Sequence, residues 1–68
     1  MKVIGKSKSG QIVGCFERLN PHASGILAQR LDAGLRPIEQ GHPQGFRESV
    51  AWLYALGAIQ FECIESED

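Results

Sequence analysis

One continuous block near the C-terminus, residues 45–65, constrains the fold of this chain more than any other segment. It reads GFRESVAWLYALGAIQFECIE and holds four of the five aromatic residues. Its apolar positions first recur with the period of a helix and then, after Gly57, alternate with the period of a strand. The block therefore predicts a helix over residues 43–57 that ends at a glycine and passes directly into a strand over residues 58–64.

The last two turns of this predicted helix are apolar on almost every side. Phe46, Val50 and Leu53 share one face, and Trp52 and Tyr54 extend that face in opposite directions. A helix that is apolar all round is buried, either within its own domain or against a partner. The pattern leaves open whether Trp52 and Tyr54 belong to the core or to an interface.

The N-terminal segment, residues 1–17, has the pattern of a β-hairpin. Two runs rich in β-branched residues flank the turn sequence Ser7-Lys8-Ser9-Gly10. Gly5 and Gly14 interrupt these runs, and a glycine inside a strand indicates a bulge or the close approach of another element.

The middle of the chain predicts a second helix, over residues 20–34. Asn20-Pro21 is a favourable helix start, and Ile26, Leu27 and Leu31 follow helical spacing up to a glycine at position 34. Residues 36–45 contain two prolines and two glycines, which predicts a loop.

These elements predict a single small α+β domain over residues 1–68 with the order β-β-α-α-β. The expected architecture is a three-stranded antiparallel sheet with both helices packed on one face. The last strand pairs with one strand of the hairpin, and the sequence leaves open which one. Residues 65–68 follow as an acidic tail.

A chain of 68 residues has room for one modest core. No segment approaches the ~18 apolar residues of a membrane span, and the N-terminus lacks the apolar stretch of a secretory leader. We therefore expect a cytoplasmic protein in which Cys15 and Cys63 are thiols rather than a disulfide.

Charge is distributed unevenly along the chain. All seven cations and three of the acids lie in residues 1–47, which gives this part a charge of +4. The last 21 residues hold five acids and no cation, a charge of −5 that brings the whole chain to −1. Such a polarity favours oriented docking, although solvated charged segments would produce the same pattern.

No group of residues has the spacing of a catalytic, metal or cofactor site. Cys15, His22, His42 and Cys63 are ligands by type, but zinc sites take their ligands in close pairs and these four are far apart. A nucleophile beside a base and an orienting group is also missing. We therefore expect neither an enzyme, nor a metal, nor a cofactor.

The leading hypothesis is a non-enzymatic protein-binding module, such as an inhibitor, adaptor or regulatory subunit of a larger intracellular protein. Short chains without motifs are common in phages and mobile elements, where they block host machines. The residues expected to contact such a partner are aromatic, arginine and acidic side chains: Trp52, Tyr54, Arg30, Arg36, Arg47, Glu62, Glu65, Glu67 and Asp68.

Two alternatives stay open. The basic hairpin predicts contacts with phosphates of a nucleic acid through Lys2, Lys6, Lys8 and Arg18. The apolar surplus of the C-terminal helix also fits a homodimer. No membrane partner is expected.

Overall fold

The structure is a computed structural model that describes residues 2–18 and 25–64. These residues form a five-stranded antiparallel sheet and one helix. The strand order across the sheet is β4-β3-β2-β1-β5. Among the described residues, no helix is long and apolar enough to cross a membrane. In chain order the elements are β1 (Lys2–Lys6), β2 (Ile12–Arg18), β3 (Ile26–Leu31), β4 (Pro37–Gly41), α1 (Phe46–Ala55) and β5 (Gln60–Ile64).

The predicted three-stranded sheet with two helices is wrong. Two further strands, β3 and β4, occupy segments where the sequence indicated a helix and a loop. Both strands extend the sheet beyond β2 through antiparallel pairing. The described part of the chain therefore has one helix on a sheet of five strands.

The helix predicted over residues 20–34 fails because a short apolar run fits two periods equally well. In β3, Ile26 and Ala28 point towards the core, while Leu27 and Leu31 lie on the opposite face of the sheet. Apolar residues on both faces of a strand produce the same one- and four-residue spacings as a helical stripe. Residues 19–24, which include the predicted helix start, lie outside the described residues.

The loop predicted over residues 36–45 contains β4 because its proline and glycine are compatible with an edge strand. Pro37 is the first residue of β4, a position at which the missing backbone N–H is tolerated. Gly41 ends the strand beneath Trp52, and a Cβ at this position would lie 2.7 Å from Trp52 Nε1. This glycine is therefore a packing residue rather than a chain breaker.

Helix α1 ends in a glycine motif before the chain enters β5. Gly57 has a φ of +100° and donates its N–H to the Tyr54 carbonyl, while the Ala58 N–H reaches the Leu53 carbonyl at 3.1 Å. These two bonds form a Schellman cap, in which the residues after the helix close back on its last turn. Strand β5 then pairs antiparallel with β1, the first strand of the hairpin, a choice that the sequence left open.

The core lies between α1 and one face of the sheet. Leu53 is fully buried, and two strand glycines make room for it: a Cβ on Gly14 would lie 2.8 Å from Leu53 Cδ2, and one on Gly5 would lie 3.1 Å from Leu53 Cδ1. The close approach indicated by these glycines in the sequence is therefore a contact with α1. The buried cluster consists of Val3, Phe16, Ile26, Ala28, Leu53 and Ala58.

Candidate interaction surfaces

The face of the sheet opposite α1 carries a shallow groove. Ile4, Cys15 and Gln29 are aligned across β1, β2 and β3, on the side away from the core. The groove has a volume of about 220 Å³, and most of its walls are apolar. It is lined by Ile4, Ile12, Cys15, Leu31, Leu35 and Pro37 together with Lys2 and Gln29.

Cys15 lies at the bottom of this groove and is only 4% exposed. Burial raises the pKa of its thiol, Lys2 opposes this shift, and Glu17 adds to it. The thiol is therefore protonated at neutral pH and packs as a small apolar group. Cys63 pairs with Val3 in the register of β5 and β1, so it lies on the face of the sheet that carries α1, where it is exposed. Both cysteines are free thiols.

The turn between β3 and β4 forms one rim of the groove. The Asp32 carboxylate accepts hydrogen bonds from the backbone N–H groups of Gly34 and Arg36, at 2.9 and 2.8 Å. Leu35 lies between them with a φ of +63°, the left-handed conformation, and its side chain is 54% exposed. The turn therefore holds a large apolar side chain in solvent at the edge of an apolar groove.

Strand β5 forms a second candidate surface, because it is an edge of the sheet and every one of its residues is exposed. Its pairing with β1 is regular over all five residues, from Lys2↔Ile64 to Lys6↔Gln60. Phe61 is 39% exposed and Ile64 is 42% exposed. Within residues 2–18 and 25–64, no strand pairs with the outer backbone edge of β5, and such an edge can pair with another chain.

One ion pair joins β5 to β1. Lys6 Nζ donates a hydrogen bond to Glu62 Oε2 at 2.8 Å. This bond, and the positive charge of Lys6, lower the pKa of Glu62 from its ordinary value. Glu62 is therefore ionised at neutral pH, and its negative charge is paired with the positive charge of Lys6 in the same chain.

The aromatic side chains predicted to bind a partner have different environments. Trp52 is half-buried and packs over Gly41 against the core. Tyr54 is 66% exposed on the outer side of α1. Phe46 is also exposed, although its ring makes an edge-on contact with Phe16 at a centroid distance of 5.6 Å. Only Tyr54 of the predicted aromatic pair is largely available to a partner.

The three predicted arginines are exposed, but they belong to different elements. Arg30 is on β3 rather than on a helix, and it lies 3.9 Å from a carboxylate oxygen of Glu39 on β4. Arg36 precedes β4 and pairs with Asp32 at 3.4 Å. Arg47 lies in the first turn of α1. Two of the three thus have a carboxylate partner of their own.

The four hairpin cations do not form one patch. Lys2 lies at the groove, Lys6 is paired with Glu62, and Lys8 is exposed in the turn between β1 and β2. Arg18 pairs with Ile26 at the end of β2 and therefore lies on the core side of the sheet. The sheet separates Arg18 from Lys2.

Several predicted residues lie outside the described residues. They are the acids Glu65, Glu67 and Asp68, together with His22 from the rejected metal quartet. Within residues 2–18 and 25–64, no three His, Cys, Asp or Glu side chains group closely enough to hold a metal ion.

Comparison with known protein families, curated proteins and solved structures finds no match to this chain. The groove and the β5 edge are therefore the features of this molecule that can indicate a function.

Glu62 and Tyr54 were named from the sequence as partner-contacting residues, with the exposure of Tyr54 left open, and the groove was missed. The signal was present in the hairpin, where Val3 and Ile4 are adjacent apolar residues and therefore point to opposite faces of one sheet. Strands that are apolar on both faces are typical of sheets that are covered on both sides.

Proposed function

We propose that this chain is a small non-enzymatic protein-binding module that pairs its β5 edge with a strand of a larger intracellular protein. The observation that carries this proposal is that β5 is an edge strand whose five residues are all exposed and whose pairing with β1 is regular. Proteins recognise extended segments at such edges through backbone hydrogen bonds, and alternate side chains give specificity. An inhibitor, adaptor or regulatory subunit, including one encoded by a phage, fits this mode of binding.

The two edges of the sheet differ in how they are protected. β4 begins with Pro37, and its pairing with β3 shifts register between Arg30 and Leu31. Proline and irregular pairing are the features by which proteins block edge-to-edge association. β5 has neither feature and exposes Phe61 and Ile64, so we expect a partner strand at β5 rather than at β4.

The negative charge of the C-terminal segment indicates which residues the partner strand carries. The chain carries five acids and no cation after residue 47, and three of these acids directly follow the strand in sequence, at positions 65, 67 and 68. Opposite charge across an interface accelerates association and disfavours wrong partners. We expect a partner segment that alternates apolar residues with lysine or arginine.

Binding of nucleic acid by the hairpin has less support from the geometry. A phosphate-binding surface needs several cations on one side of the molecule. Here Lys6 is neutralised by Glu62, and Arg18 lies on the opposite face from Lys2. The protein-binding proposal is therefore preferred.

The experiment is affinity capture of the tagged chain from cell lysate, with and without nuclease treatment, compared with two variants that each add one lysine to an edge strand. Cys63→Lys places the charge on β5, and Gln40→Lys places the same charge on β4; both positions are exposed. An added lysine on an edge discourages strand pairing. We expect one stoichiometric protein with the parent chain and with Gln40→Lys, and at least a tenfold loss with Cys63→Lys.

The outcomes separate the two parts of the proposal. Equal capture by Cys63→Lys and the parent chain would retain the binding module but reject the β5 edge as its surface. Recovery of nuclease-sensitive material alone would reject the binding module and favour the basic hairpin. Circular dichroism of both variants establishes that they are folded.

A further inference from the structure

We infer that the groove-bearing face of the sheet binds a second copy of this chain, so that two sheets stack across a two-fold axis with both α1 helices outside. This surface is distinct from the β5 edge. The dimer can therefore be confirmed or rejected independently of the proposed partner strand.

Beside its charged residues, this face carries several apolar side chains at positions where a solvated sheet face carries polar ones. Antiparallel sheets with one solvated face alternate apolar and polar residues, and the outward positions are polar. Here the outward positions include Ile4, Leu27 and Leu31, and the groove adds Ile12 and Pro37. The only helix in the described part of the chain packs on the opposite face.

The charge balance of this face favours a copy of the same chain over a partner of one charge. Lys2 and Glu17 are aligned on β1 and β2, and Lys6 is paired with Glu62 on β1 and β5. The face thus holds two cations and two carboxylates. Under two-fold symmetry a contact of one residue with another is repeated in reverse, so each lysine of one protomer can meet a carboxylate of the other.

The area of this face limits the affinity of the dimer. Five strands about 4.8 Å apart, each about five residues long, present a flat area of roughly 400 Å² on each protomer. Stable dimers usually bury about 800 Å² per partner, and weaker complexes bury less than about 600 Å². Side-chain relief increases the buried area above the flat value. We therefore expect a dimer that dissociates in the micromolar range rather than a permanent one.

Leu35 is the side chain that best tests this contact. It is 54% exposed at the rim of the groove, where it can enter the groove of a symmetry-related copy. Asparagine is among the few residues that adopt its left-handed backbone conformation readily, so Leu35→Asn removes the apolar contact without disturbing the turn.

The experiment is sedimentation analysis of the full chain from about 5 µM to about 1 mM, the range that spans a weak interface of this size. We expect a reversible monomer–dimer equilibrium in which Leu35→Asn raises the dissociation constant at least tenfold. The matched control is Tyr54→Gln, which removes a large exposed side chain from the outer side of α1 and leaves the equilibrium unchanged.

A second variant keeps the test decisive if Leu35→Asn fails to fold. Glu17→Lys changes the face from balanced to net positive, and it should weaken the dimer more at low salt than at high salt. The inference is overturned if the parent chain is monomeric at every concentration. It is also overturned if Tyr54→Gln dissociates the dimer, or if the folded groove variants leave it intact.

Discussion

At the scale of single residues, the left-handed conformation of Leu35 stands out because bulky side chains avoid it. The conformation costs a residue other than glycine about 1–2 kcal/mol. Leu35 nevertheless occupies it at a φ of +63°, whereas the neighbouring Gly34 does not take a positive φ. The β3–β4 turn therefore has a strained backbone at Leu35, and this backbone holds the leucine side chain in solvent.

We predict that Leu35→Gly folds more stably than Leu35→Ala by about 1 kcal/mol. Both variants remove the same side-chain atoms beyond Cβ, but only glycine relieves the left-handed backbone. Chemical denaturation at low protein concentration, where dimers do not contribute, measures the difference. Equal free energies of unfolding for the two variants would mean that the turn is not strained.

At the scale of elements, the contact between α1 and the sheet depends on glycines that leave space for Leu53. A Cβ at Gly14 would lie 2.6 Å from the carbonyl oxygen of Gln29 and 2.8 Å from Leu53 Cδ2. The carbonyl belongs to the neighbouring strand and cannot move without disturbing the β2–β3 ladder. Gly14 is therefore a position at which the neighbouring strand and α1 together leave no room for a side chain.

We predict that Gly14→Ala lowers the free energy of unfolding by about 2–3 kcal/mol through overpacking. Gly34→Ala is the matched control, because a Cβ there meets only ordinary contacts at 3.5 Å and beyond. Its free energy of unfolding should change by less than about 0.5 kcal/mol. Urea denaturation of both variants makes the comparison, and an equal loss in both would contradict the close fit of α1.

Elements with a distinctive local signal could be predicted from the sequence, and the others could not. The turn at Ser7–Gly10 and the glycine after Leu56 mark a hairpin and a helix end through backbone requirements that few residues satisfy. β3 carries no such mark, because its two-sided apolar pattern equally fits a helix. Among the candidate site residues, Glu62 and Tyr54 were named from the sequence, but the sequence left open whether Tyr54 is buried or exposed. The groove could not be named from the sequence, since it depends on pairing with β3 and β4.

At the scale of the whole molecule, the core is small and lies mostly on one side of the sheet. In the part of the chain that the structure describes, six of the seven buried apolar residues form the cluster between α1 and the sheet, and Cys15 is the seventh, on the groove side. A chain of this length buries only about 60% of the surface of its unfolded form, so its stability as a monomer is marginal. A second layer over the groove would therefore contribute a large share of the total stability.

This arrangement predicts that the melting temperature rises with protein concentration, because a dimer stabilises the folded state by mass action. One kcal/mol shifts the melting temperature of a domain this small by about 4–8 °C. Between about 5 µM and about 500 µM we therefore expect a rise of at least about 5 °C in the parent chain and in Tyr54→Gln. Leu35→Asn should show a smaller rise over the same range, because its groove face associates at least tenfold more weakly. A concentration-independent melting temperature in the parent chain would show that the monomer needs no second layer.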